Sequence, residues 1–385
     1  MALSIIQTPA AVSLAQSPII FAVSESNASA LTSASFQYNA DLYYWTGTTT
    51  QSGSAGDYTL VKYPNESKTG IFDVSRILNS TLQDTLQSNP SNAGYLAIET
   101  YISFYSGSSF TTGSRTRSDT YKYLDGYQLF QETIGQAINT LTPHWPLMTD
   151  GPVTQSVVLT NSGSAGVYVG TTGASIPTKI VYTSATQTAD YAVTGSINTS
   201  GQITTYPIGP AQTGFPLSGS YSSYTIQAKS GSASIGQSVK YEVVCAEKYP
   251  NIRVKWKNRY GQWDFFNFSM VNRQSFSVNR SLYEPQIGSW GGRTLSYENY
   301  DSSNINYLVD TAQAISVNTD WVSEDYNDIF KQLLVSDEIY WLYDEIGIRP
   351  ITIKTPSITF KTGVNDKVIQ YAFDFDFGQN YKLII

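Results

Sequence analysis

An alternation of period two constrains this chain more than any other feature. Near the C-terminus Ile369, Tyr371, Phe373, Phe375 and Phe377 alternate with Gln370, Ala372, Asp374 and Asp376. Successive strand side chains point to opposite faces, so this run demands a strand with one aromatic and one polar face. In NIRVKWKN, Ile252, Val254 and Trp256 alternate with Arg253, Lys255 and Lys257, which predicts a second, half-buried strand. RYGQ then makes a turn and WDFFNF is the return strand. Helical spacing is confined to two segments. Over 73–86, Val74, Ile77, Leu78 and Leu82 share a face and Asp73 is placed to cap it. Over 323–335, Tyr326, Ile329, Phe330, Leu333 and Leu334 form the apolar stripe. Ser323 is its expected cap, and Glu324 and Asp325 suit the positive end of the dipole.

The expected fold class is therefore mainly β: several β-sandwich domains, immunoglobulin-like or jelly-roll-like, with two short helices. Residues 1–148 read as a β-rich domain with the first helix. SPIIFAVSES, ASFQYNADLYYWTG, DYTLVKYP and YLAIETYISFYSG are strands, and Asp125-Gly126 is placed for a hairpin turn. TPHWPLMTDGP closes the block, because its prolines and glycine interrupt regular structure. Residues 149–245 are rich in Ser, Thr, Gly, Val and Tyr. QSVVLT, GVYVG, KIVYTS, DYAVTGSI, GQITTYPI, YTIQAK and KYEVVCA are candidate strands of a central sandwich, expected to fold independently. Residues 246–385 form a C-terminal β-domain with the helix at 323–335.

Composition narrows the chemistry. The 385 residues carry 23 Lys plus Arg against 30 Asp plus Glu, a net charge of −7. That balance argues against nucleic acid, since neutralising phosphates needs a basic excess. One Cys excludes an intramolecular disulfide and a thiolate zinc cluster, and one His excludes a His-rich metal site. No cofactor or metal is expected. MALSIIQTPAAVSLAQS lacks the basic residue of a signal peptide, and no run of 18 apolar residues predicts a membrane span.

Candidate catalytic residues reduce to structural readings. His144 would have to serve any Ser-His-Asp triad, yet it lies between prolines and reads as a solvated or loosely packed loop residue. Cys245 follows two valines and reads as a buried, inert thiol. SWGGRT lacks the Lys-Ser/Thr of a phosphate loop and reads as a turn. Asp264, Glu284, Glu298, Asp301 and Asp310 lie near aromatics, as glycosidase carboxylates do, but so would any acid in a chain with 29 Tyr. Asp374 and Asp376 read as a solvated strand face. No catalytic, cofactor-binding or metal-binding residue is assigned.

KYPNIRVKWKNRYGQWDFFNF resembles the strand, Asn-Arg-x-Gly-x-x-Asp, aromatic-strand motif of virion proteins from tailed phages of Bacteroidetes hosts. Trp256, Asn258, Arg259, Gly261, Trp263, Asp264, Phe266 and Phe268 are the matching positions. The order of ISVNTDWVSEDYNDIFKQLLVSDEIYWL and RPITIKTPSITFKTGVNDKVIQYAFDFDF is similar to those proteins, and SPIIFAV and IFDVSRIL echo their opening. The central segment stands outside the resemblance, as a variable insert. Read physically, the motif is a rigid hairpin. Asn258 and Gly261 suit a turn with positive φ, and Trp256 and Trp263 are placed to pack on one face. Asp264 is placed to accept from turn amides or to pair with Arg259.

The resemblance implies a non-enzymatic structural protein of the virion tail region, at the neck or tail ring or at the distal tail or baseplate. It would be made in the host bacterial cytoplasm. Its implied partners are copies of itself in a ring or symmetric assembly and other tail or neck proteins. The alternative is an adhesin that binds host-surface glycan through the central segment. Assembly predicts exposed aromatics spread over two opposite flanks, and adhesion predicts one concave cluster with polar neighbours. The terminal strand VIQYAFDFDF would be hazardous as a free edge, so either an internal strand or a neighbouring subunit must cover it.

Overall fold

The computed structural model describes residues 3–46, 56–82, 94–129, 138–170, 176–193, 202–244, 249–286, 288–289, 291–296, 298–343, 347–363, 369–378 and 382–384. The protein is mainly β, with 51% strand, 7% helix and several separate sheets. It divides into two compact units. One comprises residues 1–245 with 257–264, the other residues 246–256 with 265–385.

In the first unit, Ile20–Glu25 pairs with Leu3–Gln7 on one side and Thr69–Asp73 on the other. A larger sheet runs Val12–Leu14, Tyr121–Leu124, Gly94–Ser106, Gln37–Thr46, Tyr58–Lys62. Phe21, Tyr38, Phe72, Leu96, Ile98 and Tyr123 belong to one fully buried cluster. Asp73 is not the cap: the helix's N-cap is Val74, with no side-chain cap, and Asp73 Oδ1 accepts from the Ser75 amide at 3.0 Å and the Ile19 amide at 3.2 Å. The helix is only Ser75–Asn79, shorter than the spacing predicts, and 83–86 lie outside the described residues.

All seven strands expected between 149 and 245 are present. Five form the sheet Thr154–Val158, Ala233–Val244, Ser223–Ser230, Lys179–Ser184, Thr188–Ala192, and Ser164–Val169 pairs with Gln202–Pro207. Tyr182, Tyr206, Tyr224 and Tyr241 are buried there. Tyr182 finds the Pro207 carbonyl at 2.6 Å and Tyr224 finds that of Ile208, so each hydroxyl is satisfied inside the core. Asp125-Gly126 does not make a hairpin. Tyr121–Leu124 pairs antiparallel with Gly94–Ser106 and parallel with Val12–Leu14, and no strand follows within the described residues to 129.

The second unit is one sheet in the order Trp263–Phe268, Ile252–Lys257, Ile339–Tyr343, Gly347–Ile353, Ala372–Phe377, Ile305–Asn318, Arg273–Tyr283. The terminal alternation behaves as its period demands. Phe373, Phe375 and Phe377 are buried, and Asp374 and Asp376 face Ser316 and Lys354. The strand is internal, flanked by Gly347–Ile353 and Ile305–Asn318, so the internal cover is the one realised. Its helix opens with a 3₁₀ turn, Glu324–Tyr326, and continues as Asn327–Val335. Ser323 does not cap it through its side chain, which meets Asp325 at 3.3 Å instead. Phe330 packs edge-on to Phe266 at 5.0 Å and to Tyr371 at 5.5 Å, within a cluster that also holds Trp256, Phe268, Phe373 and Phe375.

Two outcomes follow from this packing. Phe330→Ala should destabilise the second unit by about 3–5 kcal/mol, read as a shifted denaturant midpoint with an unchanged slope. Truncation after Lys367 removes five residues of the same cluster (Ile369, Tyr371, Phe373, Phe375, Phe377) and should abolish that unit's cooperative unfolding. A truncated chain that still melts cooperatively there would place the strand outside the core.

Candidate functional site

The motif hairpin has a charged and polar tip that is almost wholly buried. Lys257, Asn258, Tyr260, Gln262 and Asp264 are each under 9% exposed, and all lie in the 257–264 stretch that belongs to the first unit. Such a tip needs partners for its charges and most of its polar groups. Lys257 forms an ion pair with Asp125, and Arg259 Nε meets Asp150 at 2.5 Å. Tyr260 donates its hydroxyl to Asp150 at 2.8 Å, and Arg259 Nη2 donates to the Leu141 carbonyl at 2.8 Å. Asn258 Nδ2 donates to the Met148 carbonyl at 2.9 Å.

Backbone geometry closes the contact. Gly261 has φ +71°, and a Cβ there would meet the Asp125 carbonyl oxygen at 2.0 Å. Gly126 is its counterpart: a Cβ would lie 2.2 Å from the Arg259 carbonyl oxygen, which accepts from the Tyr127 amide at 2.9 Å. Asp125-Gly126 is thus the seat of the tip, which explains why it turns no hairpin of its own. Asn258 does not adopt positive φ. It serves the turn through its side chain, whose Oδ1 accepts from the amides of Tyr260 and Gln262, both at 3.0 Å.

The other motif residues depart from expectation in informative ways. Trp256 lines the second unit's core with Val254, Phe266 and Phe268. Trp263 is an odd number of residues from Phe266, so it faces the opposite side of the ribbon, and the two tryptophans do not share a face. Asp264 takes its hydrogen bonds from Thr149 and from the side chain of the turn residue Asn258, not from Arg259. Its Oδ1 accepts from Thr149 Oγ1 at 2.8 Å. Complete burial outweighs the hydrogen bonds from Thr149 and Asn258, aided by the nearby charge of Asp150, and pushes the Asp264 carboxyl up to about 7.

The strand Ile252–Lys257 is buried at all six positions rather than half-buried. Arg253 donates to Asn267 Oδ1 at 2.8 Å and lies 4.9 Å over the Phe265 ring, and Lys255 lies 5.3 Å over Tyr340. Alternation located the charged side chains correctly, but aromatic and amide neighbours cover them. Burial lowers the Lys255 pKa, against the pull of Glu338.

His144 is buried, not solvated. Its ring nitrogens face the carbonyls of Gln237 at 3.2 Å and Gly151 at 2.9 Å, and among the described residues no carboxylate or hydroxyl partner for a triad stands at either. Cys245 lies outside the described residues. Gly291, Gly292, Glu284, Glu298, Asp301 and Asp310 are exposed around a small turn in which Ser289 and Ser296 pair, or on the strand that follows it. Among the described residues, no group of three or more His, Cys, Asp or Glu side chains comes together. Asp125, Thr149 and Asp150 escaped sequence reasoning. Their partners are more than 100 residues away, and the only available signal was that buried Lys and Arg need acids somewhere.

Exposed apolar side chains lie both on β-ribbons and in turns and loops, the latter including Tyr63, Tyr300 and Trp321. Arg273–Tyr283 pairs along its length with Ile305–Asn318, yet lies at the edge of its sheet and is exposed at ten of its eleven positions. Phe276, Val278, Leu282 and Tyr283 are 45–54% exposed. In the first unit Tyr105 and Phe110 are exposed on the hairpin of Gly94–Ser106 and Ser109–Thr112, and Tyr58 is exposed on an edge strand. Between 149 and 245 the large exposed apolar side chains are Val153 and Leu159, with no aromatic among the described residues.

No protein-family model matches this chain. No curated protein matches it either.

The buried carboxyl gives a pH signature. The folded state holds a proton on Asp264 that the unfolded chain releases near pH 3.8, so the contribution is full below pH 3.8 and is lost as pH rises to about 7. The loss amounts to about 4 kcal/mol at most. Asp264→Asn cannot ionise and should flatten this decline. Melting curves from pH 4 to 8 should show the variant gaining on the wild type as pH rises, and parallel curves would place the carboxylate in a solvated site.

Proposed function

We propose that this protein is a non-enzymatic structural component of a tailed-phage virion, in the tail region, working by oligomeric assembly. The reading rests on the resemblance of the Trp256–Phe268 motif to that of virion proteins from tailed phages of Bacteroidetes hosts. The observation that carries it furthest is where the exposed aromatics lie. Tyr58, Tyr105, Phe110, Phe276, Tyr283 and Tyr307 lie on edge strands and hairpin ribbons, and Tyr63, Tyr300 and Trp321 on turns and loops, all outside the central segment, where packing against neighbouring chains would cover them. A glycan-binding adhesin would place them as a cluster in the central segment, where the described residues offer none. The buried polar tip supports a scaffold role, because its charges are consumed by internal partners rather than presented to a substrate. Neck or tail ring and distal tail or baseplate are equally compatible with this surface.

Purified particles test the proposal. Mass spectrometry should find the chain in intact virions, and a reconstruction should place several copies of it in the tail region. Particles that lack it would overturn the reading. So would purified protein that degrades host polysaccharide and loses that activity on replacement of one carboxylate.

A further inference from the structure

The strand Arg273–Tyr283 is a sheet edge with few of the usual protections: two arginines, and one register shift against its partner strand between Ser281 and Leu282. Its sequence, RQSFSVNRSLY, contains no Pro, no Lys and no acid. At eleven residues it is the longest edge strand of any sheet in the described residues. The opposite edge of the same sheet, Trp263–Phe268, is buried at five of six positions. An edge of this length exposes a row of backbone donors and acceptors that another strand can take up.

The order of its side chains identifies the occupant. If the strand pairs antiparallel with itself about Val278, Arg273 falls opposite Tyr283, Gln274 opposite Leu282, Ser275 opposite Ser281, Phe276 opposite Arg280 and Ser277 opposite Asn279. Both arginines then meet aromatic rings of the other copy, giving four cation–π contacts per pair of chains. No arginine meets an arginine, and Val278 meets Val278 across the axis. Opposed residues have the same parity, so whichever set of backbone groups points outward on one copy meets the same set on the other. Pairing of this kind consumes both edges and closes on itself.

We propose that the Arg273–Tyr283 edge is where a second copy of this chain adds its own Arg273–Tyr283 strand, antiparallel, about a two-fold axis through Val278. The inference rests on the reading of the protein as an assembling one, and names the contact. It joins copies in pairs, so a closed ring would need a further interface.

Site-specific cross-linking of the purified full chain tests it, with wild-type protein setting the background from Cys245. Directly opposed Cβ atoms lie about 4.5–5.5 Å apart, within reach of a short bismaleimide. Val278→Cys should cross-link to itself. Ser275→Cys and Ser281→Cys should each fail alone, being about 20 Å from their own copies, and succeed when mixed. Phe276→Asp and Val278→Pro should each weaken dimerisation by about tenfold or more in sedimentation experiments. Phe276 is an exposed side chain, so its variant keeps the test valid if the proline perturbs the strand. A Val278→Cys protein that does not cross-link overturns the proposal. A dimer that survives both edge variants overturns the contact and leaves the assembly reading standing. Virions that lack the chain overturn the assembly reading, whatever the edge does in solution. A strand of another protein seated on this edge in the particle overturns the second copy as occupant.

Discussion

Lys257 and Arg259 are charges withdrawn from water, and their need for buried partners sets the geometry around them. A lone buried charge costs several kcal/mol, and removing one member of such a pair costs about 3–5 kcal/mol. Asp125 and Asp150 must therefore stand where the ammonium and guanidinium arrive. The glycines at 126 and 261 let the two backbones approach closely enough for that to happen. Asn258 satisfies the turn amides from within, so no water is needed there. Residues 257–264 thereby belong to the first unit, although the strands on either side of them continue in the sheet of the second.

In the second unit a different economy applies. Ile305–Asn318 is paired on both sides, with Arg273–Tyr283 along one and with Ala372–Phe377 and Lys382–Ile384 along the other. The aromatic face of the terminal strand, the helix residues Tyr326, Ile329, Phe330 and Leu333, and the apolar face of Ile252–Lys257 make one core. Edge-on ring contacts at 4.9–5.5 Å recur in it, which suits a chain with abundant Tyr and Phe and few charges. The long edge strand stays exposed at ten of its eleven positions, and the proposed contact between copies turns on it.

Much of the secondary structure was legible because strand periodicity is local. The alternations at 252–257 and 369–377, and the seven strands between 154 and 244, depend on short runs of β-branched and aromatic residues bounded by turns. The helix at 323–335 was legible for the same reason, from its i, i+3, i+4 stripe. The failures share a cause. Asp125-Gly126 has hairpin chemistry, but its backbone is taken up by a tip 133 residues further on. The charged face of Ile252–Lys257 has the period of a solvated face, yet Asn267, Phe265 and Tyr340 cover it. His144 sits between prolines and is still held between a nearby carbonyl, that of Gly151, and one 93 residues away, that of Gln237.

The sequence by itself determined that this is a mainly β chain with little helix, which residues alternate inward, and that a turn lies at 258–261. These follow from φ/ψ preference and side-chain period, which act over a few residues. Only the tertiary structure decided which acids meet the buried bases and that Asp264 is sealed from water. It also placed the terminal strand in the middle of its sheet and Arg273–Tyr283 at the edge. Those outcomes depend on pairing between segments far apart in the chain, where strand order and burial arise from the whole sheet and no local pattern encodes them.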